Sequence, residues 1–308
     1  MPMNRPVRPP LRSERLPDRL SRPVRDAIAG RVVRLFNDPE RGERPVVRRP
    51  DGLFGAGSVA WRVHGDVTGM LVGGVSSLLL QMLHPAVLAG VWDHSNFRAD
   101  MHGRLRRTAR FVAVTTFGGR EEAAAAIDRV RRIHDRVTGL LPDGRAYAAN
   151  DSASLAWVHV TGAVSFLEGW VRYAEPGMSA ADRDRYFAEM AQVGEALGAD
   201  PVPRDRQAAQ RLIADMRTEL AVDDRTREVA RLVLDQRTGA AATHPMQGLL
   251  MQAGVDLLPP WARRMHGLPA PLLARPLVRA GTFGMAETVR WAFAGREKGS
   301  SEASPPPG

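Results

Sequence analysis

A run of 26 residues without a charged side chain, Val67–Trp92, constrains the fold of this chain more than any other feature. A run of that length can cross a lipid bilayer as a helix. Polar residues interrupt it, however, and Pro85 removes the hydrogen bond that a continuous helix would make to the carbonyl of Gln81. Because polar groups of this kind need protein partners, the segment is predicted to be a kinked core helix of a soluble protein rather than a membrane span.

Apolar residues recur with the helical period along most of the chain, whereas sustained alternation with a period of two is missing. No Asn-Gly or Asp-Gly hairpin is predicted, and Pro259-Pro260 is predicted to start a loop or a short turn. The predicted helices span residues 15–37, 66–83, 85–94, 101–117, 120–139, 151–173, 179–197, 205–221, 223–238, 244–256 and 271–294. The predicted fold class is therefore all-α, a single large helical domain over residues 51–296.

The N-terminal segment is strongly basic, since residues 1–50 carry 13 arginines and six acidic residues. This composition is typical of a partly disordered extension, here with one leading helix, and residues 297–308 are predicted to be a disordered tail. A basic arm can contact nucleic acid or a membrane surface, but without a recognisable helix-turn-helix no specific nucleic-acid partner is expected. The first twelve residues lack the apolar core of a secretory signal, so a cytoplasmic location is expected.

The chain has no cysteine, which excludes disulfides, thiolate metal sites and cysteine nucleophiles. Glycine-rich dinucleotide and phosphate loops, the HExxH zinc motif and the GxSxG nucleophile motif are also missing from the sequence. Histidine is therefore the residue type that remains most suited to hold a metal.

Three of the eight histidines, His84, His134 and His159, lie in apolar surroundings, with His134 on the apolar stripe of the helix predicted over 120–139. A buried imidazole needs a hydrogen-bond partner or a metal. For each residue alone, a hydrogen-bonded core histidine is the simpler interpretation. Three on neighbouring helices favour a haem, which needs one imidazole and apolar walls. The others are interpreted as ordinary residues in polar or loop surroundings: His64, His94, His102, His244 and His266.

A cluster of basic residues lies on the helix predicted over 101–117. Arg104, Arg107 and Thr108 share one helical face, and such a group could bind paired carboxylates such as haem propionates. Arg131, one helical turn before His134, could contribute in the same way. The alternative is a solvated basic face, and the neighbouring residues Arg106 and Arg110 are interpreted as merely exposed.

Five segments resemble the DUF2236 family, which contains the rubber oxygenases (latex clearing proteins) and MpaB-type oxygenases. In order they are LLLQMLHPAVLAGVWDHSNF, RLRRTARFVAVTTFG, RRIHDRVTG, YAANDSASLAWVHVTGAVSF and LLPPWARRMHGL. The resemblance implies an all-helical fold of about ten helices around a buried b-type haem. It also implies the use of dioxygen to cleave carbon–carbon double bonds of isoprenoid chains.

The resemblance extends to single residues. The Arg-x-x-His element of the family falls on Arg131 and His134, which implies that His134 is the proximal haem ligand. The Arg-x-x-(Lys/Arg)-Thr element falls on Arg104, Arg107 and Thr108, near the distal side and the propionates. Arg107 stands where rubber oxygenases have a lysine that can reach the iron, and a guanidinium is a poor ligand because it stays protonated.

That departure leaves His84 as a candidate distal group. The resemblance thus implies a haem b-dependent oxygenase that acts with dioxygen on a small lipophilic substrate, as a monomer or dimer with peripheral membrane contact possible. The implied catalytic residues are His84, Arg107 and Thr108, and the implied haem-binding residues are His134, Arg131, Arg104 and His159. The alternative function is a haem carrier, sensor or peroxidase-like protein, in which His84 or His159 occupies the sixth position of the iron.

Overall fold

The computed structural model describes residues 16–38, 42–235, 244–268 and 274–301. These residues form thirteen α-helices and one two-stranded sheet, which confirms the predicted all-α class. The helices are α1 (Leu16–Phe36), α2 (Val59–His64), α3 (Val67–Gln81), α4 (Pro85–His94), α5 (Met101–Phe117), α6 (Arg120–His134), α7 (Ser152–Tyr173), α8 (Ala180–Leu197), α9 (Arg206–Met216), α10 (Asp224–Leu234), α11 (His244–Leu257), α12 (Pro260–His266) and α13 (Arg275–Ser301). The strands are β1 (Thr138–Leu140) and β2 (Ala146–Ala148).

Helices α3 and α7 lie at the centre, and their contact is the most extensive between any two described helices. Glycines permit this close approach. A Cβ added to Gly73 would lie 2.7 Å from the carbonyl oxygen of Ser165, and one added to Gly169 would lie 2.5 Å from the carbonyl oxygen of Gly69. Helices α11 and α13 pack against α3, whereas α8 and α9 pack against α7. The uncharged segment therefore contributes the central helix of the core.

The same segment is divided between α3 and α4, which are bent by 102° relative to each other. Pro85 begins α4, at a position where its missing N–H is not needed. The side chains of Leu79, Leu80 and Leu83 before the break are at most 2 % exposed, so the predicted kinked core helix is confirmed. Within the described residues no single helix is long and apolar enough to cross a membrane; α3 and α4 together pass that test by length and composition only.

Helix α1, which belongs to the predicted N-terminal extension, packs against α13 and α5. The guanidinium of Arg25 lies 4.6 Å from the ring centre of Trp291. Arg106 of α5 was predicted to be merely exposed, and this prediction is wrong. Arg106 pairs with Asp38 at 3.0 Å and with Glu43 at 3.4 Å. Residues 1–15 and 302–308 lie outside the described residues, and α13 continues into the predicted tail as far as Ser301.

The sheet is a difference from the sequence prediction. Strands β1 and β2 pair antiparallel, with Gly139 opposite Tyr147, and β1 begins within the last two residues of the helix predicted over 120–139. The turn contains Asp143-Gly144, and Gly144 adopts a positive φ of 86° that glycine tolerates best. The sequence therefore carries an Asp-Gly hairpin signal that the prediction missed, because strands of three residues show no clear alternation.

Two short helices, α2 and α12, were also missed. Ser58 caps α2 by accepting a hydrogen bond from the Trp61 N–H at 3.2 Å, and Pro260 begins α12 where a loop or turn was predicted. Helices of six and seven residues are too short to show a periodic pattern. The helices predicted over 205–221 and 223–238 extend too far at their C-terminal ends. Helix α9 passes into a 3₁₀ turn over Arg217–Glu219, and α10 ends at Leu234.

Candidate functional site

His134 is the last residue of α6. Its side chain is half-buried, and its Nδ1 atom is buried without a hydrogen-bond partner. Burial lowers the pKa of His134, and the neighbouring Asn150 and Asp135 side chains partly oppose that shift. The imidazole is therefore kept neutral near pH 7, which is the form that binds metals.

Asn150 joins the end of α6 to the start of α7. Its Nδ2 donates hydrogen bonds to the carbonyl oxygen of Arg131 at 3.1 Å and to Asp135 Oδ1 at 2.6 Å. The Arg131 side chain is exposed and reaches the carbonyl oxygen of Ala196, in the last turn of α8, at 3.5 Å. Sequence reasoning missed Asn150; the available signal was its position directly before Asp151, the residue that caps α7.

His159 lies on α7 and is half-buried, and its Nε2 atom is buried without a hydrogen-bond partner. Its ring packs against Gly194 of α8, where an added Cβ would lie 3.0 Å from the ring. Burial lowers the pKa of His159 to about 4. Arg131 contacts Ala196 and His159 contacts Gly194, so α6 and α7 bring these predicted site residues to the same end of α8.

His84 lies elsewhere, at the break between α3 and α4. It is 6 % exposed, its ring centre is 6.4 Å from that of Trp157, and its Nε2 is 3.7 Å from Glu219 Oε2. Burial lowers the pKa of His84, and Glu219 opposes the shift. Trp157 and His159 are two residues apart on α7, so they point to nearly opposite sides of that helix. The structure therefore places His84 across α7 from His159.

The predicted basic cluster on α5 is divided between a half-buried residue and two exposed ones. Arg104 is half-buried, and burial together with Arg107 lowers its pKa. Arg107 is exposed and its NH1 lies 3.4 Å from Asp100 Oδ2, while Thr108 donates a hydrogen bond to the Arg104 carbonyl oxygen at 3.2 Å. No ion pair joins Arg104 to a carboxylate among the described residues.

His64 is a histidine whose surroundings the sequence prediction described wrongly. It is 6 % exposed, with Nδ1 at 2.7 Å from Thr116 Oγ1 and Nε2 at 2.8 Å from the hydroxyl of Tyr186. Burial lowers the pKa of His64 to about 3. Both nitrogens are satisfied by the protein, which makes His64 a core residue and not a free ligand.

These features fit a haem. His134 and His159 each keep a neutral imidazole with a buried nitrogen that has no partner. Arg104 is a half-buried cation next to another arginine, an arrangement that a propionate would stabilise. The described residues contain no group of three side chains that could hold a bare metal ion. A haem iron needs only one or two protein ligands, because the macrocycle supplies the rest.

Comparison with known families decides the class of the chain. Residues 61–291 match the family described as the catalytic domain of ER-bound oxygenase mpaB/B′ and rubber oxygenase. The chain belongs to this family. The resemblance predicted from the sequence is thereby confirmed, and the five segments that carried it all lie within the match. No curated protein and no solved structure matches the chain significantly.

Membership of the mpaB and rubber oxygenase family makes the chain an oxygenase-type domain. Each predicted site residue, from His84 to His159, lies within the matched region. They lie on α5, α6 and α7, except for His84, which directly precedes α4. An oxygenase of this class needs dioxygen and an organic substrate as its partners.

Proposed function

We propose that this chain is a haem b-dependent oxygenase that acts with dioxygen on a lipophilic substrate and cleaves a carbon–carbon double bond. The family supports the oxygenase class. The observation that carries the haem assignment is the pair of buried imidazole nitrogens without partners, on His134 and His159, near one end of α8. When bound, the haem would supply the activation of dioxygen.

The chain's own residues would hold this group. His134 would be the proximal ligand, and Asn150 would keep the end of α6 in place through its bond to Arg131. Arg104 and Arg131 would bind the propionates, which would compensate the half-buried charge of Arg104. Gly194 has no side chain and therefore leaves space for the His159 ring. The unpartnered Nε2 of that ring supports His159 as the second imidazole of the site.

The proposed distal residues come from α5. Arg107 and Thr108 are exposed on α5 next to Arg104. The Arg107 guanidinium would donate hydrogen bonds on the distal side, and the Thr108 hydroxyl would do so on leaving the Arg104 carbonyl oxygen. His84 is separated from His159 by α7. The geometry therefore favours His159 over His84 as the imidazole closest to His134, the proposed proximal ligand.

The first experiment is the absorption spectrum of the purified protein, ferric and reduced with dithionite, together with a pyridine haemochrome assay. We expect a Soret band and one haem b per chain. Protein that is folded by circular dichroism and takes up no haem on reconstitution would refute the cofactor assignment.

A series of histidine variants then tests the ligand. His134→Ala should lose haem, or recover it only with added imidazole, because a His–iron bond in a buried site has no substitute in alanine. His94→Ala is the matched control, since His94 is exposed and its Nε2 is bonded to the Thr138 carbonyl at 3.1 Å. His134→Ala protein with full haem content and an unchanged Soret band would contradict the assignment and make His159 the leading candidate.

The alternative is a haem protein without oxygenase turnover, and the unpartnered Nε2 of His159 is the observation that favours it. If His159 were the sixth ligand, the ferric haem would be low-spin, and His159→Ala would convert it to high-spin. An oxygenase should instead bind carbon monoxide rapidly when reduced, and it should consume dioxygen with an isoprenoid such as squalene and form carbonyl products.

A further inference from the structure

A cavity of about 330 Å³ lies between α3, α7 and the segment that connects α11 to α12. That volume is at the lower end of the range for small-molecule sites. Part of its wall is apolar and includes Leu80, Val164 and Leu258. The rest of the wall is largely polar, and its arginines outnumber its carboxylates.

Asp256 is the centre of the charged part. Its side chain is 5 % exposed and binds three guanidiniums, from Arg172 at 3.2 Å, Arg275 at 2.5 Å and Arg279 at 2.7 Å. One carboxylate cannot neutralise three cations. Glu168 is the second carboxylate of the lining, and it also interacts with Arg206 outside the cavity, so the positive charge around Asp256 stays in excess.

Arg263 adds a fourth guanidinium, and it is 8 % exposed. Its NH1 donates to two neutral acceptors, the carbonyl oxygens of Asp256 and Leu258, both at 3.2 Å. Burial and the nearby Arg275 lower the pKa of Arg263. Asp256 offsets part of this positive charge, and a bound anion would offset more of it.

Two hydroxyl groups in the cavity wall have no partner. Ser76 on α3 is 0 % exposed and Ser165 on α7 is 2 % exposed, and neither Oγ makes a hydrogen bond. A buried hydroxyl without a partner is unfavourable. Both would be satisfied by an acceptor bound in the cavity.

The cavity is separate from the proposed haem ligands. The residues of α7 that line it, including Ser165, Glu168 and Arg172, lie on the side of that helix opposite His159, as the helical rotation of 100° per residue requires. The cavity therefore lies apart from His159, and ligand binding in it can be measured whether or not His134 binds iron.

We propose that this cavity binds a small amphipathic carboxylic acid. Its carboxylate would lie between Arg263 and Arg275 and accept hydrogen bonds from Ser76 and Ser165. Its short apolar chain would contact the apolar wall that includes Leu80.

Octanoate is the probe, titrated into the full-length purified protein by isothermal calorimetry, with 1-octanol and inorganic phosphate as comparison ligands. We expect octanoate to bind once per chain, at least tenfold more tightly than either comparison ligand. Arg275→Gln should weaken binding by about tenfold or more, the value of a charged hydrogen bond. Arg279→Gln is the matched control, because it removes a guanidinium from the same Asp256 without lining the cavity, so its affinity should stay within about threefold of wild type.

Ser165→Ala guards against variants that fail for structural reasons. It removes a hydroxyl with no protein partner, so it should melt no lower than wild type and still bind octanoate about fivefold more weakly. Absence of octanoate binding, equal binding of phosphate, or equal losses in Arg275→Gln and Arg279→Gln would overturn the proposal. Haem content is measured in parallel: loss of haem in Arg275→Gln would assign these arginines to a propionate and also overturn it.

Discussion

Replacing Gly73 with alanine tests whether the contact between α3 and α7 organises the fold. The added Cβ would lie 2.7 Å from the Ser165 carbonyl oxygen and 2.9 Å from the Phe166 Cα. Carbon atoms prefer separations of about 3.5–4.0 Å, so the two backbones must move apart. Overpacking costs about 1–3 kcal/mol, and the value here should lie in the upper part of that range, about 2–3 kcal/mol, because backbone neighbours cannot rotate away as side chains can.

The adjacent Gly74 provides a matched control. Its added Cβ would have only Phe166 Cε1 near it, at 3.9 Å, which is an ordinary contact. Both substitutions gain about 1 kcal/mol of helix propensity. We therefore expect Gly73→Ala to lower the free energy of unfolding by about 1–2 kcal/mol and Gly74→Ala to leave it unchanged or raise it by up to about 1 kcal/mol.

Urea denaturation followed by circular dichroism at neutral pH measures both values. The thermal midpoint should fall by about 2–8 °C for Gly73→Ala, given about 2–4 °C for each kcal/mol in a protein of this size class. A Gly73→Ala protein as stable as wild type, or an equal loss in Gly74→Ala, would show that the two helices are not packed as closely as the structure has them.

Two further predictions concern buried ionisable groups. The pKa of His64 falls from 6.5 to about 3 on burial, so the unfolded chain binds a proton that the folded chain does not as the pH drops below about 6.5. The free energy of unfolding should therefore decrease by up to about 1.4 kcal/mol per pH unit between pH 6.5 and 4. Urea titrations should show a shallower decrease for His64→Gln than for wild type. Identical slopes in the two proteins would contradict this prediction. Asp66 is 4 % exposed, caps α3 and binds Arg290 at 2.8 Å. Asp66→Asn should therefore lower the free energy of unfolding by about 1–3 kcal/mol. Asp224→Asn should leave it almost unchanged, because Asp224 is fully exposed in its pair with Arg227.

The amino-acid sequence alone specifies the local signals that begin and end the helices. The limits of α4 and α5 agree with the prediction because Pro85 and Asp100 begin these helices and Gly118 ends one of them, and such signals act within one helical turn. The all-α class and the break after His84 follow from the same kind of local information. The family could be recognised because its motifs are contiguous segments within residues 61–291.

The way in which helix faces meet depends on tertiary packing. The sequence placed His84 and His159 in similar apolar surroundings, yet one faces Trp157 and the other faces Gly194 across α7. Burial of His64 required Thr116 and a distant tyrosine from α8. Each of these contacts joins residues far apart in the chain.

The Asp256 cluster shows the same division. Its arginines come from α7, α12 and α13, and of these Arg263 alone lies in a segment that carried the family resemblance. Helical periodicity specifies which residues share a face, but it does not specify which face of another helix will cover it. That choice depends on the close packing of the whole core, in which small residues such as Gly73 decide where two backbones can approach.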